Sequence, residues 1–173
     1  FTTASDASSP QATLTNLPPG LTSATTYSIG VGGIGVVSYQ YSVDGGAWSI
    51  ETDVAEPIEF DRNTEELHTL AVIGKNAAGF WQPADSPTQA SWTIDLTAPT
   101  AVLSNYPTGT VSTTDASISV GGMDVAFYRY RFDDDTGSWS PVRNVGMPID
   151  LSDLVEGPHT LEVIGADPTN NWQ

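Results

Sequence analysis

The sequence predicts an all-β chain of two tandem antiparallel β-sandwiches, the second lacking its last strand within these residues. Three observations carry that expectation: a repeat that spans the whole chain, a period of two in its clearest hydrophobic segments, and dense punctuation by 16 glycines and 12 prolines. A length of 173 residues allows one large domain or two small ones, each able to bury a core.

The repeat is read first because it sets the architecture. Shifted by 89, Ala12, Leu14, Asn16, Pro18 and Gly20 fall on Ala101, Leu103, Asn105, Pro107 and Gly109. At the same shift Ser28, Ile29, Val31, Gly32 and Gly33 fall on Ser117, Ile118, Val120, Gly121 and Gly122, and Tyr39 and Tyr41 on Tyr128 and Tyr130. The turn with Asp133, Asp134, Asp135, Thr136 and Gly137 is two residues longer than Asp44, Gly45 and Gly46, so the shift becomes 91. Trp48 then pairs with Trp139, His68 with His159, Leu70 with Leu161, and Trp81 and Gln82 with Trp172 and Gln173.

Each copy reads as strands. Val37, Tyr39, Tyr41 and Val43 alternate with Ser38, Gln40 and Ser42, and Ala126, Tyr128, Tyr130 and Phe132 alternate with Arg129, Arg131 and Asp133. A half-buried strand requires that period. Asp44, Gly45 and Gly46 supply positive-φ residues for a tight hairpin, with Trp48 expected to restart the pairing strand. Further strands are expected near 11–15, 25–31, 57–60, 66–74 and 89–95. No window shows the helical period of 3.6, and about seven short strands in roughly 90 residues point to two packed antiparallel sheets. The expected boundaries are a segment or junction at 1–10, a first sandwich at 11–98 and an incomplete second one at 99–173. Pro99 favours an extended junction, and Asp6 to Pro10 matches Asp95 to Pro99 at the shift of 89.

Composition excludes several functions. With 21 acidic residues against 5 basic ones and a net charge of −16, the chain lacks the clustered Lys and Arg that a nucleic-acid partner needs. The same balance opposes an anionic membrane surface, and no apolar run is long enough for a spanning helix, so no membrane insertion is expected in this segment. Without cysteine there are no disulfides, thiolate-held metals or thioether-linked haem. The first ten residues hold neither a basic start nor an apolar stretch, so no leader is expected in them.

Three blocks carry a resemblance: residues 39–49 (YQYSVDGGAWS), 67–82 (LHTLAVIGKNAAGFWQ) and 90–99 (ASWTIDLTAP). In this order they resemble bacterial Ig-like repeats, which occur in tandem in large exported proteins. The resemblance implies an Ig-like fold and an extracytoplasmic, usually non-catalytic module. Asn76, where such repeats commonly carry Asp, and Asp167, Pro168 and Thr169 in the second copy are departures.

Chemistry-bearing residues are sparse. His68 and His159 recur on a face shared with Leu70 and Leu161, with no nucleophile or ligand set seen to recur beside them, so a structural role is expected. Gly30, Gly32, Gly33 and Gly35 superficially suggest a dinucleotide loop, but no helix follows and the second copy has Ser119 and Asp124 at the first and last of these positions. No pair of carboxylates stands out for glycoside chemistry, and the chain is read as not an enzyme. No cofactor is required on this reading. Calcium is the one ion the acidic turns could hold, with Asp133, Asp134, Asp135, Asp95 and Asp167 as candidates, although Asp also favours turns for its own sake. Trp48 and Trp139 are candidate glycan-stacking rings, against a packing role for rings that recur.

Trp92 has no partner, because its counterpart at 183 lies beyond the sequence. The alternating segment 89–95 therefore has no equivalent in the second copy, which leaves an open sheet edge. Two explanations stand. The chain is part of a longer tandem array, or Phe1, Thr3 and Ser5 of one copy form a donor strand for the next, head to tail. Thr3 and Ser5 occupy the positions of Trp92 and Ile94, so only Phe1 offers a large anchor. Either way the expected partner is self or an adjoining repeat, and the expected function is a rod-like structural spacer or filament subunit outside the cell. The alternative is an adhesin or carbohydrate-binding module using aromatic or acidic loops, with or without calcium.

Overall fold

The computed structural model describes residues 9–133 and 137–173. The chain divides into two compact units, Phe1–Asp95 and Leu96–Gln173. Among the described residues every regular element is a strand.

In unit 1, β1 (Thr13–Thr15), β3 (Thr26–Gly32) and β6 (Ile58–Asp61) form one antiparallel sheet in the order β1-β3-β6. The second sheet contains β2 (Leu21–Thr22), β4 (Val36–Val43), β5 (Thr52–Asp53), β7 (Leu67–Asn76) and β8 (Thr88–Ile94), in the order β2-β8-β7-β4-β5. All its pairs are antiparallel except β2 with β8. Ile29, Val31, Ile58 and Phe60 of the first sheet share one core with Tyr39, Leu70, Val72, Trp92 and Ile94 of the second. Alternate residues of each strand point to that core because the side-chain period is two, which makes a sandwich of the two inner faces.

Among the described residues, unit 2 repeats the plan with six strands. The first sheet holds β9 (Val102–Ser104), β10 (Ala116–Gly121) and β13 (Ile149–Leu151), and the second β11 (Phe127–Phe132), β12 (Arg143–Asn144) and β14 (Leu161–Ala166). Their orders are β13-β10-β9 and β12-β11-β14. Ile118, Val120, Tyr128 and Ile149 form the buried centre, with Leu103, Leu151, Leu161 and Val163 packed against it.

Three details differ from the sequence expectation. The apolar face of β4 begins at Val36 rather than Val37: the ladder to β7 slips between Val36 and Ser38, leaving Val37 as the extra, outward residue at 43% exposure while Val36 is 8% exposed. In unit 2 Val125 is buried in the same way, not Ala126. The space exists because Gly74 and Gly165 lie beneath these valines; a β-carbon would come within 2.9 Å of Val36 and 3.2 Å of Val125. A bulge of this kind re-aims every residue before it. Trp48 begins no strand, and the returning pair is instead Thr52–Asp53 against Ser38 and Tyr39. The stretch between is held by Ser49, whose N–H donates to the Tyr41 carbonyl at 2.8 Å and whose Oγ accepts the Tyr41 N–H at 3.1 Å. β2 was not anticipated, since two residues carry no periodic signal and its partner lies about 70 residues away.

The glycine-rich stretch ends β3 in a turn. Gly33 has φ 129°, and a β-carbon there would lie 2.2 Å from the Gln11 carbonyl oxygen; at Gly122, with φ 133°, the Thr100 carbonyl would be 2.4 Å away. Glycine recurs here because the backbones approach too closely for any side chain.

Candidate functional site

The recurring polar residues are the natural place to look for a site, because the sandwich presents them at the same points twice. His68 lies on β7 and is wholly buried, its Nδ1 donating to Asp44 Oδ2 at 2.9 Å. Its Nε2 faces the Thr64 carbonyl at 3.2 Å, and Asp44 Oδ1 accepts the Thr69 N–H at 2.7 Å. In unit 2, His159 Nδ1 meets Asp133 Oδ2 at 2.6 Å, Nε2 faces the Val155 carbonyl at 2.8 Å, and Asp133 Oδ1 accepts the Thr160 N–H at 2.6 Å. The histidines thus do have a recurring partner, which the sequence reading missed. The signal was available, since Asp44 and Asp133 fall on one another at the shift of 89. Both take positive φ, 53° and 45°, which a short polar side chain tolerates at the head of a hairpin.

Each pair closes a hairpin onto the next strand. A nucleophile does not recur beside the outer nitrogen: Thr64 Oγ is 3.3 Å from His68 Nε2, but position 155 is Val. The electrostatics match a clamp. The Thr160 N–H, then His159, hold the Asp133 carboxyl below its usual range. The Asp133 carboxylate, then the Val155 carbonyl, raise His159. A raised histidine stabilises the fold below its unfolded pKa near 6.5 and loses that contribution as pH rises through its folded value; a depressed Asp contributes above about 3.9 and loses it as pH falls. The unit 2 clamp is therefore expected to be tightest between roughly pH 4 and 6.5. Amide exchange at Thr160 followed by NMR from pH 4 to 9 checks this: protection, corrected for intrinsic rates, should fall on the alkaline side, and His159→Phe should abolish that fall. A flat profile would count against the clamp.

Asp167 is 1% exposed, in the turn after β14. Its Oδ1 accepts the N–H groups of Thr169 and Asn171 at 2.8 and 2.9 Å and the Thr169 hydroxyl at 2.9 Å, while Oδ2 accepts the Asn171 amide at 2.8 Å. Burial pushes its pKa up, but the Asn171 and Thr169 donors outweigh this and hold it below the ordinary carboxylate value. Asn76 serves the same turn in unit 1, accepting from Ala78 and Phe80 at 3.0 Å. Gln82 and Gln173 are a further matched pair, each Oε1 accepting at 2.9 Å from Ala12 or Ala101 and at 3.3 Å from Gly74 or Gly165. Tyr39 and Tyr128, fully buried, donate to the Glu56 and Met147 carbonyls at 2.7 and 2.6 Å. Burial, helped by Tyr41 and Glu56, pushes Tyr39 up to about 12, which keeps it a donor.

Within unit 2 the two described calcium candidates are not brought together. Asp133 and Asp167 sit just beyond opposite ends of the β11–β14 ladder, about 23 Å apart at the rise of a strand. Asp95 follows β8 in unit 1, and Asp134 and Asp135 lie outside the described residues. No group of three His, Asp or Glu side chains spaced to hold an ion occurs among the described residues. The donor candidates Phe1, Thr3 and Ser5 also lie outside them.

Cations lie over five of the aromatic rings. Lys75 lies over Trp81 at 5.1 Å, Arg129 over Trp172 at 4.9 Å and Arg131 over Trp139 at 5.0 Å, and Arg62 and Arg143 lie over Phe60 and Tyr130 at 5.9 and 5.8 Å. All five basic residues are accounted for in this way. Of the two glycan candidates, Trp139 therefore carries a guanidinium on its ring, whereas Trp48 is 37% exposed. Such stacking is worth about 0.5–1 kcal/mol at an exposed site.

The largest departure from symmetry is an edge. In unit 1, β8 lies against β7 with Trp92 opposite His68, Ala90 opposite Leu70 and Thr88 opposite Val72. In unit 2 β14 ends its sheet, with no strand on its second side among the described residues. Leu161, Val163 and Leu151 are partly exposed there, while their counterparts Leu70, Val72 and Phe60 are buried. The His159 side chain is 23% exposed and Val155 76%. Thr110 and Val111, the counterparts of β2, form no strand, as expected where β2's partner has no equivalent.

These features define two Ig-like β-sandwich units in tandem, each tied by polar residues at matching positions. No family model and no curated protein matches the chain. Among solved structures it is similar to the central fibronectin-III array of RIM-binding protein, at 14% identity and a TM-score of 0.35. It is similar also to chitinase ChiA74 from Bacillus thuringiensis, at 12% and 0.39. The matches cover 93% and 97% of this chain but span only 64% and 28% of those chains. No helix among the described residues is long and apolar enough to cross a membrane.

Proposed function

We propose that this chain is a non-catalytic structural module, a spacer or filament subunit of an exported surface protein, joined to a head-to-tail neighbour or to adjoining repeats. One observation carries the reading: the polar residues that recur between the units are engaged in closing their own turns. Asp44 and Asp133 hold hairpins, Gln82 and Gln173 tie the first strand of each unit to β7 or β14, and Asn76 and Asp167 hold the turns that follow them. Residues kept for a reaction would instead present unpaired donors, acceptors or nucleophiles to a cleft. The acidic surface keeps such a module soluble through self-repulsion, and the likeness of residues 39–49, 67–82 and 90–99 to repeats of exported bacterial proteins supports the location.

Electron microscopy with light scattering over a concentration series tests the assembly, and titration with soluble glycans tests the competing reading. End-to-end particles, or a monomer that leaves glycans unbound, support the structural module. Saturable quenching of tryptophan fluorescence by a glycan, lost in Trp48→Ala, would overturn it in favour of a carbohydrate-binding module.

A further inference from the structure

We infer that Arg129, on the outer face of the β12-β11-β14 sheet, is a docking point for an acidic segment of another polypeptide, which sets one carboxylate on the guanidinium and an apolar neighbour against Phe127 and Val142. The inference goes beyond the structural-module reading and does not depend on how the chain assembles, because it concerns a side-chain cluster within unit 2.

The two units carry the same tryptophan at this place but surround it differently. In unit 1 Lys75 lies over Trp81 at 5.1 Å. Its Nζ donates to Glu51 Oε1 and Oε2 at 3.0 and 2.9 Å, and Ser38 Oγ donates to Oε1 at 2.6 Å. Ring, cation and carboxylate form a closed set. In unit 2 the counterparts of Ser38, Glu51 and Lys75 are Phe127, Val142 and Ala166, none of them charged. The cation comes instead from β11: Arg129 stands where unit 1 has Gln40, and its guanidinium lies over Trp172 at 4.9 Å. All of these counterparts lie among the described residues, so the difference is one of substitution. Unit 2 keeps the cation and loses the carboxylate.

Among the described residues no carboxylate pairs with Arg129, and its Nε is buried without an acceptor, which is rare for a buried donor. Arg131, two residues along the same face, has Glu162 beside it. Stacking on Trp172 takes up the flat face of the Arg129 guanidinium and leaves its N–H edge to receive a carboxylate. The surroundings are apolar. One step beyond Tyr128 opposite Arg143, the register brings Val142 across from Arg129, and it is 47% exposed. Phe127 lies two residues away on the same face of β11 and is half-buried. An unpaired cation beside apolar surface fits an acidic residue next to an aliphatic one, as Glu51 follows Ile50 in unit 1. A polypeptide is favoured over an anionic sugar for two reasons. Trp172 already gives a face to the guanidinium rather than to a sugar ring, and the carboxylate at this place in unit 1 is a glutamate side chain.

The test uses the whole chain and the capped tetrapeptide IETD, the sequence of residues 50–53. Titration followed by NMR should give saturable shifts of the Arg129 Nε–H and Trp172 indole N–H signals, while the Trp81 signal stays unmoved. The neutral peptide IQTN should bind at least about fivefold more weakly, and high salt should weaken IETD, as for a partly exposed ion pair. Arg129→Gln, which installs the unit 1 residue, should abolish the response, and so should Val142→Glu, which supplies a carboxylate from within. The second variant keeps Arg129 in place and decides the matter if the first perturbs the fold. Absence of shifts at millimolar IETD, or equal binding of IQTN, would overturn the site. Shifts produced by an oligogalacturonate and not by IETD would overturn the polypeptide partner in favour of an anionic glycan.

Discussion

Trp92→Ala is expected to unfold unit 1 selectively, lowering its stability by about 3–5 kcal/mol, the range for a buried tryptophan truncated to alanine. The ring is 1% exposed and packs on Phe60 and His68 at the middle of the slot between the sheets. Its indole N–H has no hydrogen-bond partner, so its contribution is packing rather than hydrogen bonding. Removing it also loosens β8, which in turn is the partner of β2. A small domain has only about 5–15 kcal/mol in total, so the loss takes a large share of the margin. Urea denaturation followed by NMR should show Leu70 and Val72 losing protection at much lower denaturant while Ile118 and Ile149 keep theirs. Trp92→Phe should recover a good part of the loss. If the alanine variant melted with the parent, the packing argument would fail.

Asp167→Ala should cost unit 2 about 2–3 kcal/mol, because the Thr169 and Asn171 N–H groups lose their acceptor in a partly buried turn. Asp167→Asn should cost much less, since Asn76 closes the matching turn in unit 1 with an amide oxygen. The wild-type carboxyl is depressed, so its contribution is present above its unfolded value near 3.9 and is lost as pH falls through the folded one. Denaturation midpoints at pH 7 distinguish the two variants, and both should lose less stability between pH 7 and pH 3 than the parent, having no carboxyl at position 167 left to protonate. Equal losses for alanine and asparagine at pH 7 would show that side-chain acceptance does not hold the turn.

Much of this was legible before any coordinates. Exact recurrence of Tyr39 and Tyr128, of His68 and His159 and of Gln82 and Gln173 located the shared frame, because positions that recur through two copies are those whose environment recurs. Period-two alternation located β4 and β11 but placed their first inward residue one position late. A bulge adds a residue without changing local composition, so Val36 and Val125 are recognisable only once Gly74 and Gly165 are seen beneath them. The acidic turns looked like ion sites because Asp serves a turn and an ion through the same oxygens. At Asp133 and Asp167 those oxygens accept hydrogen bonds from nearby residues.

The sequence by itself determined the two copies and their all-β character, since repeat and period are properties of the chain read in order. Tertiary structure alone decided that the histidines are clamped by Asp44 and Asp133, that every basic residue lies over an aromatic ring, and that β2 pairs with β8. Those are contacts between residues up to about 70 positions apart, set by sheet register. Pattern within a strand reports which side faces the core, but only the assembled sheets decide which side chains meet across it.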